Sequence, residues 1–596
     1  MSVIRALSLA TLLTTTAAFA QQATDAIAPE GSTGPAAFGG LSETAQASIA
    51  AKEAGRPVSA QNWMIAAANP LAAEAGAEVL RTGGTAADAM VAVQAVLGLV
   101  EPQSSGLGGG AFLVWYDAAT GALTTLDGRE TAPLDVTPKA FLDDNGERLK
   151  FWDAVVGGLS VGTPGTPMLM AEAHRRWGNA DWAGLLEPAI TLAEQGFVVS
   201  PRMAGAIAND FDRLQRFAPT ADYFFPGGIA LSAGDITQNP DYAETLHLIA
   251  QQGTDGFYSG PVAEDIVATV REAKGNPGHL SMTDMAIYKV IEREPVCVPY
   301  RAYEVCGMGP PSSGALTVGQ ILGMMDHFEL GDMSPNDPEA WRLIGDASRL
   351  AFADRGRYMA DSDYVPMPTK GLTAPAYLEA RAALLSSDIA LAEVAAGEPE
   401  WDHAMLLADD VSIEFPSTSH FSIVDSYGNA LSMTTTIENG FGSRLFVRGF
   451  LLNNELTDFS FASHSGGVPI ANRIEPGKRP RSSMAPTIVM KDGAPDLVIG
   501  SPGGSRIIGY VAQAIIAYVD WGMDVQQAVS MPHMVNRFGT YDIEADTDMT
   551  ALEQPLSDLG FKVSVRELNS GLHAISVGGR LSGGADPRRE GIALGE

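Results

Sequence analysis

Two alternating runs joined by a short polar turn commit this chain to a sheet. Ser419 to Val424 and Ala430 to Ile437 both follow the strand period, and Ser426-Tyr427-Gly428-Asn429 between them is a turn, so the segment reads as a β-hairpin. Ala111 to Tyr116 and Leu123 to Leu126 read as a second strand pair around an Ala-Thr-Gly turn. Further strands are expected at Ile488 to Met490, Leu497 to Ile499 and Ala574 to Val577. Trp63 to Val100 reads as helical, with Gly83-Gly84 breaking it into two helices, and about Thr163 to Ala408 is mostly helical with Pro and Gly interruptions. Helices before and after two blocks of strands predict a layered α+β architecture.

The first twenty residues are a separate object. Arg5, an apolar stretch from Ala6 to about Leu13, and Ala18-Phe19-Ala20 form a signal peptide cleaved before Gln21. Its apolar run is short of the roughly 20 residues that span a bilayer. Gln21 to about Ala60 reads as a polar, Gly/Ser/Ala-rich leader, so the mature protein is expected to be exported, to the periplasm or the medium. The formal net charge of −33 argues against nucleic acid and anionic membrane as partners, although solubility alone accounts for such a charge. Cys297 and Cys306 flank a stretch with a turn at Pro299 to Arg301. A hairpin disulfide and two free buried thiols are equally compatible with that spacing.

Three familiar signatures are weak here. Gly106-x-Gly108-Gly109-Gly110 follows a helix rather than a strand and lacks the third glycine spacing of a dinucleotide site. Gly158-Leu159-Ser160-Val161-Gly162 matches G-x-S-x-G, but Pro164 sits where the helix after a serine-hydrolase elbow would run. None of the nine histidines has H-x-x-x-H spacing, so metal-assisted hydrolysis has little support.

The stronger signal is a set of seven motifs in order: PQSSGLGGG from Pro102, DGRETAP from Asp127, the segment Pro416 to Arg444, LLNNELTDFS from Leu451, KRPRSSMAPTIV from Lys478, GSPGGSRII from Gly500 and ADPRR from Ala585. Together they resemble the γ-glutamyltransferase family of N-terminal-nucleophile hydrolases, from about Asn62 to Arg589. The resemblance implies a four-layer αββα sandwich, made as one chain that cuts itself before Thr418. It implies two interlocked subunits after the signal peptide, Gln21 to Ser417 and Thr418 to Glu596, forming one globular unit. The chemistry is apt: a hydroxyl needs a base, and an α-amine freed on the same residue titrates near ~8.

Further roles are implied residue by residue. Thr436 supports the nucleophile, and the backbone N–H groups of Gly503 and Gly504 form an oxyanion hole. Arg129, Ser482 and Ser483 hold the substrate α-carboxylate. Asp458 binds the α-ammonium, with Glu455 in a companion position. The substrates implied are small γ-glutamyl compounds such as glutathione, with water or an amino acid or dipeptide as acceptor, and no cofactor.

Two features depart from the family pattern. Glu438 stands where an asparagine is usual, so Glu438, Glu455 and Asp458 would surround the ammonium with three carboxylates. The stretch between Ser460 and Lys478 is short and has no Tyr or Trp, so an open site without an aromatic lid is expected. The alternative reading within the fold is a glutaryl or cephalosporin acylase. An enzyme trimming poly-γ-glutamate and a binding protein that has lost catalysis are the others.

Overall fold

The computed structural model describes residues 38, 40–403, 405–410, 412, 414 and 417–596; the signal peptide read from residues 1–20 lies outside them. Fourteen strands build two large sheets. They are β1 (Val58–Ala60), β2 (Met64–Ala67), β3 (Gly110–Asp117), β4 (Ala122–Gly128), β5 (Ile291–Arg293), β6 (Val296–Tyr300), β7 (Tyr303–Gly307), β8 (Ser419–Val424), β9 (Ala430–Thr436), β10 (Thr487–Lys491), β11 (Ala494–Gly500), β12 (His573–Ser576), β13 (Leu581–Ala585) and β14 (Ile592–Gly595). One sheet runs β1-β13-β12-β11-β10-β7-β6 and the other β14-β2-β8-β9-β3-β4-β5.

The strand period of two explains the four layers. Met64, Ala66, Val114, Val424, Ile488, Val498 and Ile575 point into one cluster between the sheets. Their chain neighbours Ile65, Ala67, Leu113, Trp115, Phe421 and Ile423 point the other way, onto helices that include Pro70–Arg81 and Ala86–Val100. Val489, Leu497, Ile499 and Ala574 likewise face Gly314–Met325, Pro338–Tyr358 and Ile507–Val519. A one-residue slip of any strand would exchange its two sets, so the register is fixed from both faces. The architecture is the αββα sandwich.

Three expectations are corrected. Trp63 to Val100 is not helical throughout, because Met64–Ala67 is strand β2, paired with β8 and β14. All four of its residues are buried, so no polar position marks its period. Within Gln21 to Ala60, Glu43–Glu53 is a helix capped by Ser42, and Val58–Ala60 is β1. That helix is tied to the end of the chain by Lys52, whose ammonium donates to the carbonyls of Arg589 and Gly591 at 2.7 Å each. The mostly helical middle contains the hairpin β6–β7, which turns at Arg301 and Ala302, with Arg301 at φ +56°. Cys297 and Cys306 lie directly opposite in that hairpin and are bridged. Among the described residues no helix is long and apolar enough to cross a membrane.

Candidate active site

Hairpin β8–β9 sits at the centre of its sheet. Ser419 pairs with Thr435, so Thr418 falls opposite Thr436, where both strands end. The Thr418 and Thr436 hydroxyl oxygens are 3.3 Å apart. Both hydroxyls donate to the carbonyl oxygen of Ser417, Thr436 at 2.9 Å. The Thr436 oxygen also accepts the backbone N–H of Glu438 at 2.9 Å. A nucleophile, the preceding carbonyl and a second hydroxyl bonded to that carbonyl oxygen are thus assembled in the uncut chain. Arg589 holds the other side of Thr418, donating to its carbonyl at 3.0 Å.

The glycine-rich loop explains how β3 approaches so closely. A Cβ on Gly109 would lie 1.9 Å from the Thr436 carbonyl oxygen, and one on Gly108 would lie 2.1 Å from that of Leu451. These glycines serve backbone packing beneath Thr436 rather than cofactor binding. Ser160 of the G-x-S-x-G run is buried in a 3₁₀ turn and donates to the Val155 carbonyl at 2.7 Å. No serine-hydrolase elbow exists there.

One corner of the site is acidic. Glu438, Glu455 and Asp458 line the same pocket as Thr418. Arg129 lines the pocket too, buried, and donates through Nη1 to Glu455, through Nη2 to Asp458 and the Arg481 carbonyl (2.9 Å), and through Nε to the Pro480 carbonyl (3.2 Å). The guanidinium expected to meet a substrate carboxylate also organises two carboxylates of its own chain. Burial pushes the Glu130 and Asp458 carboxyls well above their ordinary values and raises Glu455 as well, with the Arg129 charge opposing the shift in all three. Glu438 sits at φ +75°, held by its N–H bond to Thr436 and by Asn454, which donates to its carboxylate.

The opposite corner is basic. Ser483 donates to Glu414 and accepts from Arg355 at 2.8 Å. Arg355 also donates to Glu414, and Arg481 approaches the same carboxylate oxygen at 3.4 Å. Burial alone would raise the Glu414 pKa, but the two guanidiniums outweigh it and hold the carboxyl at about 2. The Ser482 hydroxyl turns back to accept the Met484 N–H at 3.1 Å. Glu414 and Ser417 both line the pocket, and the free space left is about 20 Å³, room for little more than one water. The short segment from Phe461 to Gly477 contributes no lining residue, and its His464–Ser465/Val468–Pro469 hairpin is partly or wholly exposed. The chain's own Glu414 and Ser417 fill the site instead.

Gly503 and Gly504 follow β11 at φ +138° and +58°, conformations that favour glycine, and Gly504 lines the pocket. Beneath Thr418, Ser419 donates to Glu101 at 2.8 Å, Glu101 pairs with Arg202, and the Arg202 N–H donates to Glu590 at 2.9 Å. Burial, then the charge of Glu101, push the Glu590 carboxyl up to about 7. The folded chain therefore keeps a proton that the unfolded chain releases above about pH 4.5. That contribution is complete below the unfolded value and is lost as pH rises through about 7. Glu590→Gln should flatten this decline, on the order of 3 kcal/mol between about pH 4.5 and 8. Thermal melts of both chains across that range check it; parallel curves would contradict it.

His420, next to Ser419, is no base for Thr418. Its ring lies buried, bonded to Thr434 (2.9 Å) and Ser422 (3.1 Å), and burial pushes it well below its ordinary value, so it is neutral. Among the described residues no group of His, Cys, Asp and Glu side chains could hold a metal ion.

All ten expected site residues lie in this region, and ten side chains and backbone segments from both halves of the chain are not its full extent. Sequence reasoning missed Glu414, Arg355, Arg481 and Arg589. Arg481 and Arg589 stand inside motifs already singled out, KRPRSSM and ADPRR. For Glu414, a lone acid four positions before Thr418 was the only signal. Arg355, inside a long helix, gave none.

The family model described as Gamma-glutamyltranspeptidase matches residues 72–596. A glutathione hydrolase proenzyme from Bacillus subtilis (strain 168) is 38% identical over 548 residues, covering 90% of this chain and 92% of that protein. An acylase ACY 1 proenzyme from Pseudomonas sp. (strain SE83) is 33% identical over 550 residues, covering 90% of this chain and 94% of that protein. The crystal structure of cephalosporin acylase from Bacillus halodurans superposes with a TM-score of 0.79 at 27% identity, covering 91% of this chain and 97% of that one. With the family match covering residues 72–596, Thr418 and its hairpin included, the chain belongs to the gamma-glutamyltranspeptidase family of hydrolase and transferase enzymes.

Proposed function

We propose that this protein is a γ-glutamyltransferase and glutathione hydrolase that cuts itself between Ser417 and Thr418. The observation that carries the reading is the Ser417 carbonyl, held by the Thr436 hydroxyl with the Thr418 hydroxyl beside it. In self-cleavage the Thr418 oxygen attacks the Ser417 carbonyl carbon. The peptide C–N bond breaks, its nitrogen leaves protonated as the Thr418 α-amine, and water hydrolyses the resulting ester. The products are a large subunit ending at Ser417 and a small one beginning at Thr418. They stay interlocked, because β8 from the small piece pairs with β2 from the large one, and β9 pairs with β3.

In turnover the freed α-amine takes the Thr418 hydroxyl proton while the oxygen attacks a γ-glutamyl carbonyl. The N–H groups of Gly503 and Gly504 stabilise the oxyanion. The amine leaves protonated, and water or the amine of an amino acid or dipeptide releases the γ-glutamyl ester. Asp458, Glu455 and Glu438 take the α-ammonium. Supporting this, Asp458 Oδ1 is buried with no hydrogen-bond donor among the described residues, a place that a ligand ammonium fills. Arg129, Ser482 and Ser483 take the substrate α-carboxylate, and Arg129 also positions the acids. The leader composition supports export to the periplasm or medium.

Relatives named acylases motivate the test. Processed enzyme should prefer γ-glutamyl-p-nitroanilide over glutaryl-p-nitroanilide by roughly a hundredfold in kcat/KM, the two differing only in the α-amine. Equal rates, or a preference for the glutaryl compound, would move the assignment to a glutaryl acylase.

A further inference from the structure

The segment that leads to the bond before Thr418 enters from the surface and is held by buried charges. Met405 and Leu406 are exposed, whereas Glu414, Ser417 and Thr418 are buried. Between them Asp410, Ser412 and Glu414, at alternate positions, all meet one guanidinium. Arg481 Nη2 lies 2.9 Å from the Asp410 carboxylate, donates to the Ser412 hydroxyl at 2.8 Å and approaches the Glu414 carboxylate at 3.4 Å. Arg355, from the helix Pro338–Tyr358, donates to the same Glu414 oxygen, and the Ser483 hydroxyl donates to the other.

We propose that Glu414, Arg355 and Arg481 are positioning residues for self-cleavage: they clamp the segment before the Ser417–Thr418 bond so that the Ser417 carbonyl meets the Thr418 hydroxyl. The inference rests on the reading of Thr418 as the nucleophile. Three observations carry it.

The first is that the bond is pinned from both sides. After it, Ser419 pairs with Thr435 in the hairpin. Before it, the Ser417 hydroxyl donates to the Gln103 carbonyl at 2.7 Å, and Glu414, three positions back, is anchored in the clamp. Strand pairing fixes Thr418 but not the carbonyl it attacks. The clamp supplies the missing constraint, and a misplacement of about 1 Å at reacting atoms costs roughly a hundredfold in rate.

The second is the chemistry of the clamp. Glu414, Arg355 and Arg481 are all buried, and Asp410 and Glu414 balance the two guanidiniums. Those guanidiniums outweigh the effect of burial, so Glu414 stays ionised. A buried ion network adds little stability over apolar side chains, but a shifted chain would leave a buried charge unpaired. The network therefore selects one placement of the segment.

The third is that both arginines are braced by groups outside the segment. Arg355 Nε donates to the Ser313 hydroxyl at 2.8 Å, which donates to the Ser482 carbonyl at 2.6 Å. The Arg481 N–H donates to Asn472 at 3.0 Å, and Asn472 donates to the Asp458 carbonyl at 2.7 Å. The clamp is thus tied to the backbone that carries Ser482 and Asp458, and it places the segment relative to the same site.

The rate of self-cleavage in the full chain tests this. Glu414→Gln keeps the shape and loses the charge, whereas Arg355→Lys keeps the charge and loses the fork. Each should slow cutting roughly tenfold to a hundredfold in chains that fold like wild type by circular dichroism. Glu414→Gln/Arg355→Lys should be within about threefold of the slower single variant, because both changes remove one contact. Unchanged cutting in either single variant, or slowing that multiplies in the double, would overturn the clamp. Hydroxylamine, which takes the acyl group from an ester, should leave the Glu414→Gln deficit in place, because attack on the Ser417 carbonyl is the slowed step. Restoration of the wild-type rate would move the effect to ester hydrolysis and overturn the proposal. A second measurement needs no cutting. In the uncleavable Thr418→Ala chain, adding Glu414→Gln should speed amide hydrogen exchange within residues 410–417 at least about tenfold and leave β8 unchanged. Unchanged exchange in that segment would sink the proposal. A wild-type chain that never cuts itself would contradict the catalytic reading alone, and the exchange measurement would still read the clamp.

Discussion

Thr418→Ala should leave the chain uncut and lower turnover of γ-glutamyl-p-nitroanilide by roughly 10⁴-fold or more, the scale on which removal of a covalent nucleophile acts. Two losses combine in one substitution. The hydroxyl that attacks the Ser417 carbonyl is gone, so the bond persists. Even a chain cut by an added protease would carry an α-amine with no nucleophile for it to activate. Folding should be spared, because Thr418 lies at the end of β8 and the strand's pairing starts at Ser419. Glu414 and Ser417 should remain in the pocket, so the variant should also fail to bind substrate. A processed and active Thr418→Ala protein would remove Thr418 from the mechanism.

Thr436→Val should slow self-cleavage by roughly 10²- to 10³-fold while preserving the fold, since the two side chains have nearly the same shape. The Thr436 hydroxyl donates to the carbonyl oxygen that becomes the oxyanion when Thr418 attacks. Its donor is fixed before reaction begins, because the Glu438 N–H occupies the acceptor side of the same oxygen. Thr436→Ser keeps the donor and should keep most of the rate. The fraction of cut chain against time, resolved by gel electrophoresis, checks both variants. Unchanged cleavage in Thr436→Val would show that the carbonyl is activated by another group.

The parts of this molecule that the sequence made legible are those where buried and polar positions alternate, or where motifs cluster. Ser419 to Ile437 declared itself a hairpin because Ser422, Ser432 and Thr434 interrupt the apolar positions at the strand period. Met64 to Ala67 did not, since helices cover one face and the second sheet the other, leaving four buried residues without a polar marker. Glu43 to Glu53 was hidden for the opposite reason: only Ala45, Ser48, Ile49 and Lys52 are buried, and the rest is polar enough to pass for a leader. The Cys297–Cys306 bridge depended on which residues the hairpin set opposite each other, and the turn lies beyond Pro299, at Arg301 and Ala302.

The site divides the same way. Thr418, Thr436, Gly503 and Gly504 stood out as members of ordered motifs, and the fold brings them together around one pocket and its rim. The partners of Arg129 did not stand out. Glu455 and Asp458 are 326 and 329 residues away along the chain, and only the packed structure reveals that they take up its donors. Glu414 was illegible for a related reason. Its role comes from what Arg355 and Ser483 do 59 and 69 residues away, not from its own neighbours.

The most direct test of the account is the mass and N-terminal sequence of the purified protein, followed from synthesis to full activity. The account predicts a fragment beginning TSHFSIVD, appearing at the same rate as γ-glutamyl-p-nitroanilide turnover. Full activity in an uncut chain, or a fragment that starts at any residue other than Thr418, would contradict it.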